Sequence, residues 1–160
     1  MKFILVLNLF IGLVLTSCKD EVIKSQIVYM DTLKVFEQFE MKKDYDSKLE
    51  KDIESESDLL NNIALKLEDA KKRNSNKEIE ILERDLNGAQ QLFNEKFQTL
   101  SNQYTSEVYK RLNNYLKEYG KEKGYHVILG TTGQGNIMFV ADEADITDEV
   151  ISHINSKYSK

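Results

Sequence analysis

The stretch Leu67-Glu68-Asp69-Ala70-Lys71-Lys72-Arg73-Asn74-Ser75-Asn76-Lys77-Glu78-Ile79-Glu80-Ile81-Leu82 decides the fold, because a helical pattern stops inside it and starts again. Upstream, apolar residues recur at Leu49, Ile53, Leu60, Ile63, Leu67 and Ala70, the heptad spacing of a helix–helix seam, with Glu56 interrupting one position. Downstream the pattern resumes at Ile79, Leu82, Leu86, Ala89, Phe93, Phe97, Leu100, Tyr104, Val108, Leu112, Tyr115 and Tyr119. Only the polar Asn74-Ser75-Asn76 separates the two runs, so the second helix must turn back antiparallel on the first. Extra four-residue steps, from Phe93 to Phe97 and from Tyr104 to Leu112, are stutters that loosen the supercoil. The spacing predicts arms over about 40–73 and 77–119. From Ser25 to Tyr119 there is no proline and only one glycine, Gly88, so nothing local interrupts such helices.

Outward from the arms the signals change to strands. Gln26-Ile27-Val28-Tyr29-Met30 is β-branched and aromatic, and Asp31-Thr32 after it can cap a following helix. Tyr125-His126-Val127-Ile128-Leu129 and Ile137-Met138-Phe139-Val140 read as a β-hairpin around a glycine-containing loop, giving expected strands at 26–30, 125–129 and 137–140. Thr147, with Asp148 and Glu149 in the first turn and Ile146 stapled on Ile151, predicts the cap of a last helix over 148–158. The fold class is therefore α+β, mostly α: a long antiparallel coiled-coil hairpin on a small sheet, one domain over 25–160. Three short strands and a small helix bury little, so the base is expected to self-associate. Ile27, Tyr29, Val127, Leu129 and Phe139 are the candidate residues of that joint.

The chain starts with Lys2, the apolar run Phe3–Leu15, then Thr16-Ser17-Cys18. This is a secretory leader over 1–17, too short for a permanent span of about 30 Å of hydrocarbon. Leu15-Thr16-Ser17-Cys18 resembles the lipobox of bacterial lipoproteins, and Cys18 is the only cysteine. Cys18 is therefore read as a lipidation site, followed by a polar tether over 18–24. Lys19-Asp20-Glu21 also resembles a surface-export signal of some Gram-negative lineages.

Little else carries chemistry. A lone cysteine excludes an internal disulfide, and with two histidines it makes no zinc spacing. A formal net charge of −5 argues against a broad nucleic-acid surface. Gly130-x-x-Gly133-x-Gly135 lacks the Gly-Lys-Ser/Thr ending of a phosphate loop, and the acids Asp142, Glu143, Asp145, Asp148 and Glu149 lack the EF-hand alternation. His126 and His153 have no nucleophile partner by spacing. No enzyme, cofactor or metal is expected. At the hairpin tip, Lys71, Lys72, Arg73 and Lys77 have no acid between them, whereas residues 37–69 hold 11 acids and 5 bases. Those cations either complement the helix dipole or meet an anionic client segment or lipid headgroups.

Ile27-Val28-Tyr29-Met30-Asp31-Thr32-Leu33-Lys34-Val35-Phe36, Lys123-Gly124-Tyr125-His126-Val127-Ile128-Leu129 and Asp145-Ile146-Thr147-Asp148-Glu149-Val150-Ile151, in that order around a long helix pair, resemble the Skp/OmpH family of periplasmic chaperones. The resemblance covers residues 25–157. It implies a homotrimer whose strands build a small barrel and whose hairpins surround a cavity. It also implies that unfolded outer-membrane β-barrel proteins are held there without ATP. The better-known members are soluble and basic; this chain is acidic and carries a lipobox. Lys19 after the cysteine points to the outer membrane, so the expected place is the periplasm, lipid-anchored, with surface exposure as a variant. The rival reading of the same heptads is a structural or surface-exposed coiled-coil lipoprotein without chaperone activity.

Overall fold

The computed structural model describes residues 26–135 and 137–159. The leader over 1–17, Cys18 and the tether over 18–24 lie outside them. Strand β1 (Ile27–Asp31) leads into the short helix α1 (Thr32–Gln38), then α2 (Glu40–Lys72), α3 (Asn76–Lys123), strand β2 (Val127–Thr131), a 3-10 turn at Asp142–Ala144 and α4 (Thr147–Tyr158).

Local chemistry explains the ends of the arms. The carboxylate of Asp31 accepts from the Lys34 backbone N–H at 2.9 Å and caps α1. At the tip Asn74 takes a left-handed conformation, φ 55. Its N–H donates to Lys71 O and that of Ser75 to Ala70 O, both at 3.1 Å, which is the Schellman closure of α2. Gly124, φ 74, closes α3 in the same way: Tyr125 N–H donates to Gly120 O at 2.9 Å while the Tyr125 ring packs on Tyr119. Thirty-three residues in α2 and 48 in α3 correspond to roughly 50 and 72 Å. The excess length of α3 runs into the base.

There Val28, Met30, Val35, Phe39, Val108, Leu112, Tyr119, Ile146, Val150 and Ile154 form one buried cluster. Phe39 sits in an extended backbone conformation, φ −73 and ψ 121, and separates α1 from α2. Its fully buried ring lies edge-on to Tyr115 and Tyr158. Neither proline nor glycine marks this break. The α4 residue Asn155 bridges it, donating to Gln38 O at 3.0 Å and accepting from Glu40 N–H at 2.9 Å.

Three expectations are corrected: the strand at 125–129, the strand at 137–140 and the cap at Thr147. The sheet is a parallel pair, Ile27 opposite Val127 and Tyr29 opposite Leu129, with the whole helical hairpin as its crossover. β2 starts at Val127 because Tyr125 is consumed in closing α3. Residues 137–140 form no strand in the single chain. The far edge of β1 is taken by Asp145 and by the Ile146 N–H, which donates to Tyr29 O at 2.9 Å, and Met138 and Phe139 find no apolar surface to cover. Finally, Thr147 lies inside α4 and is not its cap. Its N–H donates to Asp145 Oδ1 at 2.9 Å, and its hydroxyl oxygen accepts from the Asp31 N–H, also at 2.9 Å.

Candidate functional site

Three regions carry the predicted residues: the seam of the arms, the tip and the base. Along the seam Leu67 and Ala70 are buried against α3, and most heptad positions are at least half covered. The exception lies at a stutter. Phe97 is exposed, and Lys96 enters the seam to meet Glu56 at 2.7 Å, the one polar residue in the α2 pattern. The hydrogen bond from Lys96 holds the Glu56 carboxyl below its usual range. Nearer the base a second polar group forms: the Tyr104 hydroxyl donates to Asp52, and Tyr45 donates to Glu107 at 2.7 Å. Lys48 lies 4.6 Å from the Tyr104 ring centre. The bond to Asp52 raises the Tyr104 pKa, and that from Tyr45 lowers that of Glu107. Glu56 was visible in the sequence as an interruption, but its partner was not. The stutter that exposes Phe97 was the only signal pointing to Lys96.

At the tip the cations are not bare. Lys71 pairs with Glu83 at 3.2 Å, Lys72 with Glu68 at 2.7 Å, and Arg73 with Asp69 at 2.8 Å and Glu78 at 3.1 Å. Lys77 is exposed at the start of α3. The acids come from the adjacent turns of both helices, so the run that reads as basic in sequence is largely compensated in space.

At the base the pleat sorts the strand residues onto two faces. Val28 and Met30 point into the core. Ile27, Val127 and Leu129 are 56%, 40% and 40% exposed, and Tyr29 between them is half-buried. Beyond β2, Met138 and Phe139 are 90% and 87% exposed. The candidate joint residues on β1 and β2 thus share one uncovered apolar face. Phe139 lies apart from it on an unpaired segment. Among the described residues no cluster of His, Cys, Asp and Glu is arranged to hold a metal ion, and no helix is long and apolar enough to cross a membrane.

The family profile described as outer membrane protein (OmpH-like) matches residues 26–154, from the first residue of the base almost to the end of α4. The chain belongs to the OmpH-like family. The OmpH-like region therefore takes in both arms and most of the base. A search of curated proteins finds no match. The chain is also similar to a crystal structure of a candidate outer membrane chaperone (OmpH-like) from Caulobacter crescentus. That similarity covers 82% of this chain and 85% of the other, at 17% identity and a TM-score of 0.47.

Proposed function

We propose that this OmpH-like protein is an ATP-independent periplasmic holdase that binds unfolded outer-membrane β-barrel proteins and keeps them from aggregating. The single observation that carries the reading is the family match across arms and base together. The arms fit the task physically. They are long and have little tertiary support, and they expose Leu59, Leu65, Ile81 and Leu92 away from the seam and Phe97 at a stutter within it. An unfolded barrel strand presents alternating apolar side chains and unpaired backbone, which aggregate in water. Many weak apolar contacts on separate arms hold such a chain without fixing one conformation.

The working form is a homotrimer joined at the base. Two five-residue strands bury too little to stand alone, and their outer face is apolar and uncovered. Attachment is through acylated Cys18, which puts the protein on the outer membrane, facing the periplasm or exposed at the cell surface. Stable anchoring takes more than one acyl chain, and a diacylglyceryl thioether supplies that.

The test mixes the unacylated chain from Lys19 onward with a barrel protein diluted from urea and reads the mass of the complex by light scattering after size separation. A trimer that gains one client and keeps it soluble is the expected result. A trimer beside a precipitated client would leave a coiled-coil spacer lipoprotein as the function.

A further inference from the structure

The two flanks of the helical hairpin carry different chemistry. On one flank the helices are tied by Tyr45 to Glu107 at 2.7 Å near the base, and by Arg73 to Glu78 at 3.1 Å at the tip. Steps of seven residues lead along α2 from Tyr45 through Asp52, Leu59 and Lys66 to Arg73 at its end, and in a helix packed along a seam such steps stay on one side. Steps of three, four and seven lead along α3 from Glu78 through Ile81, Asp85, Leu92 and Lys96 toward Glu107. Leu59, Ile81 and Leu92 therefore share this flank, and all three are exposed. The other flank is marked by Lys71 on Glu83 at 3.2 Å. The same steps place Ala64, Ser57 and Glu50 there on α2, and Gln90 and Asn94 on α3, none with a large apolar side chain. Leu65 lies at the back of α2, off both flanks.

Charge is divided in the same way. On the apolar flank Asp52 and Glu107 accept from the hydroxyls of Tyr104 and Tyr45, Lys96 meets Glu56, and Lys48 lies over the Tyr104 ring. What remains between the two ties is Lys66 and Asp85, one charge of each sign. The acids Glu50, Glu54 and Asp58 line a groove around the back of α2. Three aliphatic side chains set apart along the arms cannot supply the roughly 1,200–2,000 Å² that a stable protein–protein interface buries, so a permanent partner or a second copy does not fit them. An unfolded barrel strand does fit, because it carries apolar side chains at alternate positions and can make many brief contacts. We propose that the flank bearing Leu59, Ile81 and Leu92 is the surface on which the arms hold a client, and that the segments it takes are extended, apolar and nearly uncharged. The inference rests on the holdase reading and deepens it. Capture then proceeds by apolar contact, with the acidic and amide side chains of the arms turned to solvent. Salt screens exposed charges and leaves such contact in place.

The experiment uses the unacylated chain from Lys19 onward, which keeps every described element and has no cysteine of its own. Leu59→Cys and Leu92→Cys on one flank, and Ala64→Cys and Asn94→Cys on the other, are each labelled with a maleimide benzophenone, mixed with a barrel protein diluted from urea, and irradiated. Benzophenone reacts with what it touches, so client adduct should form about fivefold more from Leu59→Cys and Leu92→Cys than from the other pair. Raising salt from about 0.05 to about 0.5 M should change neither the yield nor the amount of soluble client. Without label, Leu59→Gln/Ile81→Gln/Leu92→Gln should weaken client binding about tenfold while the helical circular dichroism stays intact. Equal adduct from the two flanks, more from Ala64→Cys and Asn94→Cys, or unchanged binding by the triple variant would each overturn the choice of flank. Release of the client by salt would overturn the apolar hold. A client that precipitates beside the unlabelled parent at every salt concentration removes the holdase reading itself, so that failure is told apart from failure of the flank.

Discussion

Asn155 completes the backbone of a helix to which it does not belong: its side-chain amide accepts from the Glu40 N–H at 2.9 Å and donates to Gln38 O at 3.0 Å, across the break at Phe39. The last turn of the chain thereby fixes the point where an arm leaves the base. Ser159 Oγ on Glu40 Oε2 at 2.8 Å and Tyr158 on Asp44 extend the same attachment along α2.

Replacing Asn155 by Ala is expected to lower unfolding stability by about 1–2 kcal/mol, since two hydrogen bonds are lost and both backbone groups are left to solvent. Asn155→Asp keeps the acceptor for Glu40 N–H and should lose less. Urea denaturation measures both, and hydrogen exchange at the Glu40 amide should accelerate in the Ala variant. An unchanged exchange rate would mean that Phe39 alone holds the break.

Tyr158 supplies an alkaline signature. Its hydroxyl donates to Asp44 Oδ2 at 2.7 Å, and this bond first, with burial second, pushes its pKa up to about 12 from the ordinary 10.0. The neutral phenol is the form favoured by folding. Its stabilisation is therefore fully present below pH 10.0 and lost as pH rises through about 12. Tyr158→Phe should be less stable than the parent by about 1 kcal/mol near neutrality, with the gap closing as pH approaches the raised value. Parallel melts across that window give the comparison.

The Glu56–Lys96 pair makes a prediction of opposite pH sign. Because the Glu56 carboxyl titrates below its ordinary 4.5, its contribution is present above that value and fades as pH falls through the lowered one. Glu56→Gln should flatten the acid limb of the stability profile. Lys96→Ala should lower the thermal midpoint by leaving a carboxylate in the seam. Glu56→Leu with Lys96→Leu should restore it, because the two apolar side chains continue the seam and no lone charge is left at this half-covered position. A double variant less stable than either single one would show that the pair is worth more than the packing it displaces.

The proposed joint is open to a charge test. Val127→Lys places an ammonium on the uncovered face between Ile27 and Leu129 and should convert the assembly to a smaller species in sedimentation velocity. Circular dichroism should remain that of a long helical hairpin, since Val127 contributes nothing to the arms. A mass unchanged from the parent would place the joint elsewhere on the chain.

Several features of this molecule are legible locally. The cap at Asp31, the reversal at Asn74-Ser75-Asn76 and the seam from Leu49 to Tyr119 each depend on residues a few positions apart. The break at Phe39 is different, because α1 and α2 carry no breaker between them and the break exists only where Asn155 and Tyr158 arrive from the other end of the chain. The tip cations misled for a related reason. Their acids, Glu68, Asp69, Glu78 and Glu83, lie outside the short run that looks basic, and helix geometry returns them to it.

The sequence by itself determined the antiparallel helical hairpin, its reversal and the place of its polar interruption, because periodicity and turn chemistry act between near neighbours along the chain. Only the tertiary structure decided that β1 and β2 run parallel, that residues 137–140 go unpaired, and that Lys96 answers Glu56. Strand edges and half-covered charges choose partners by position in space, and here those partners lie tens of residues away.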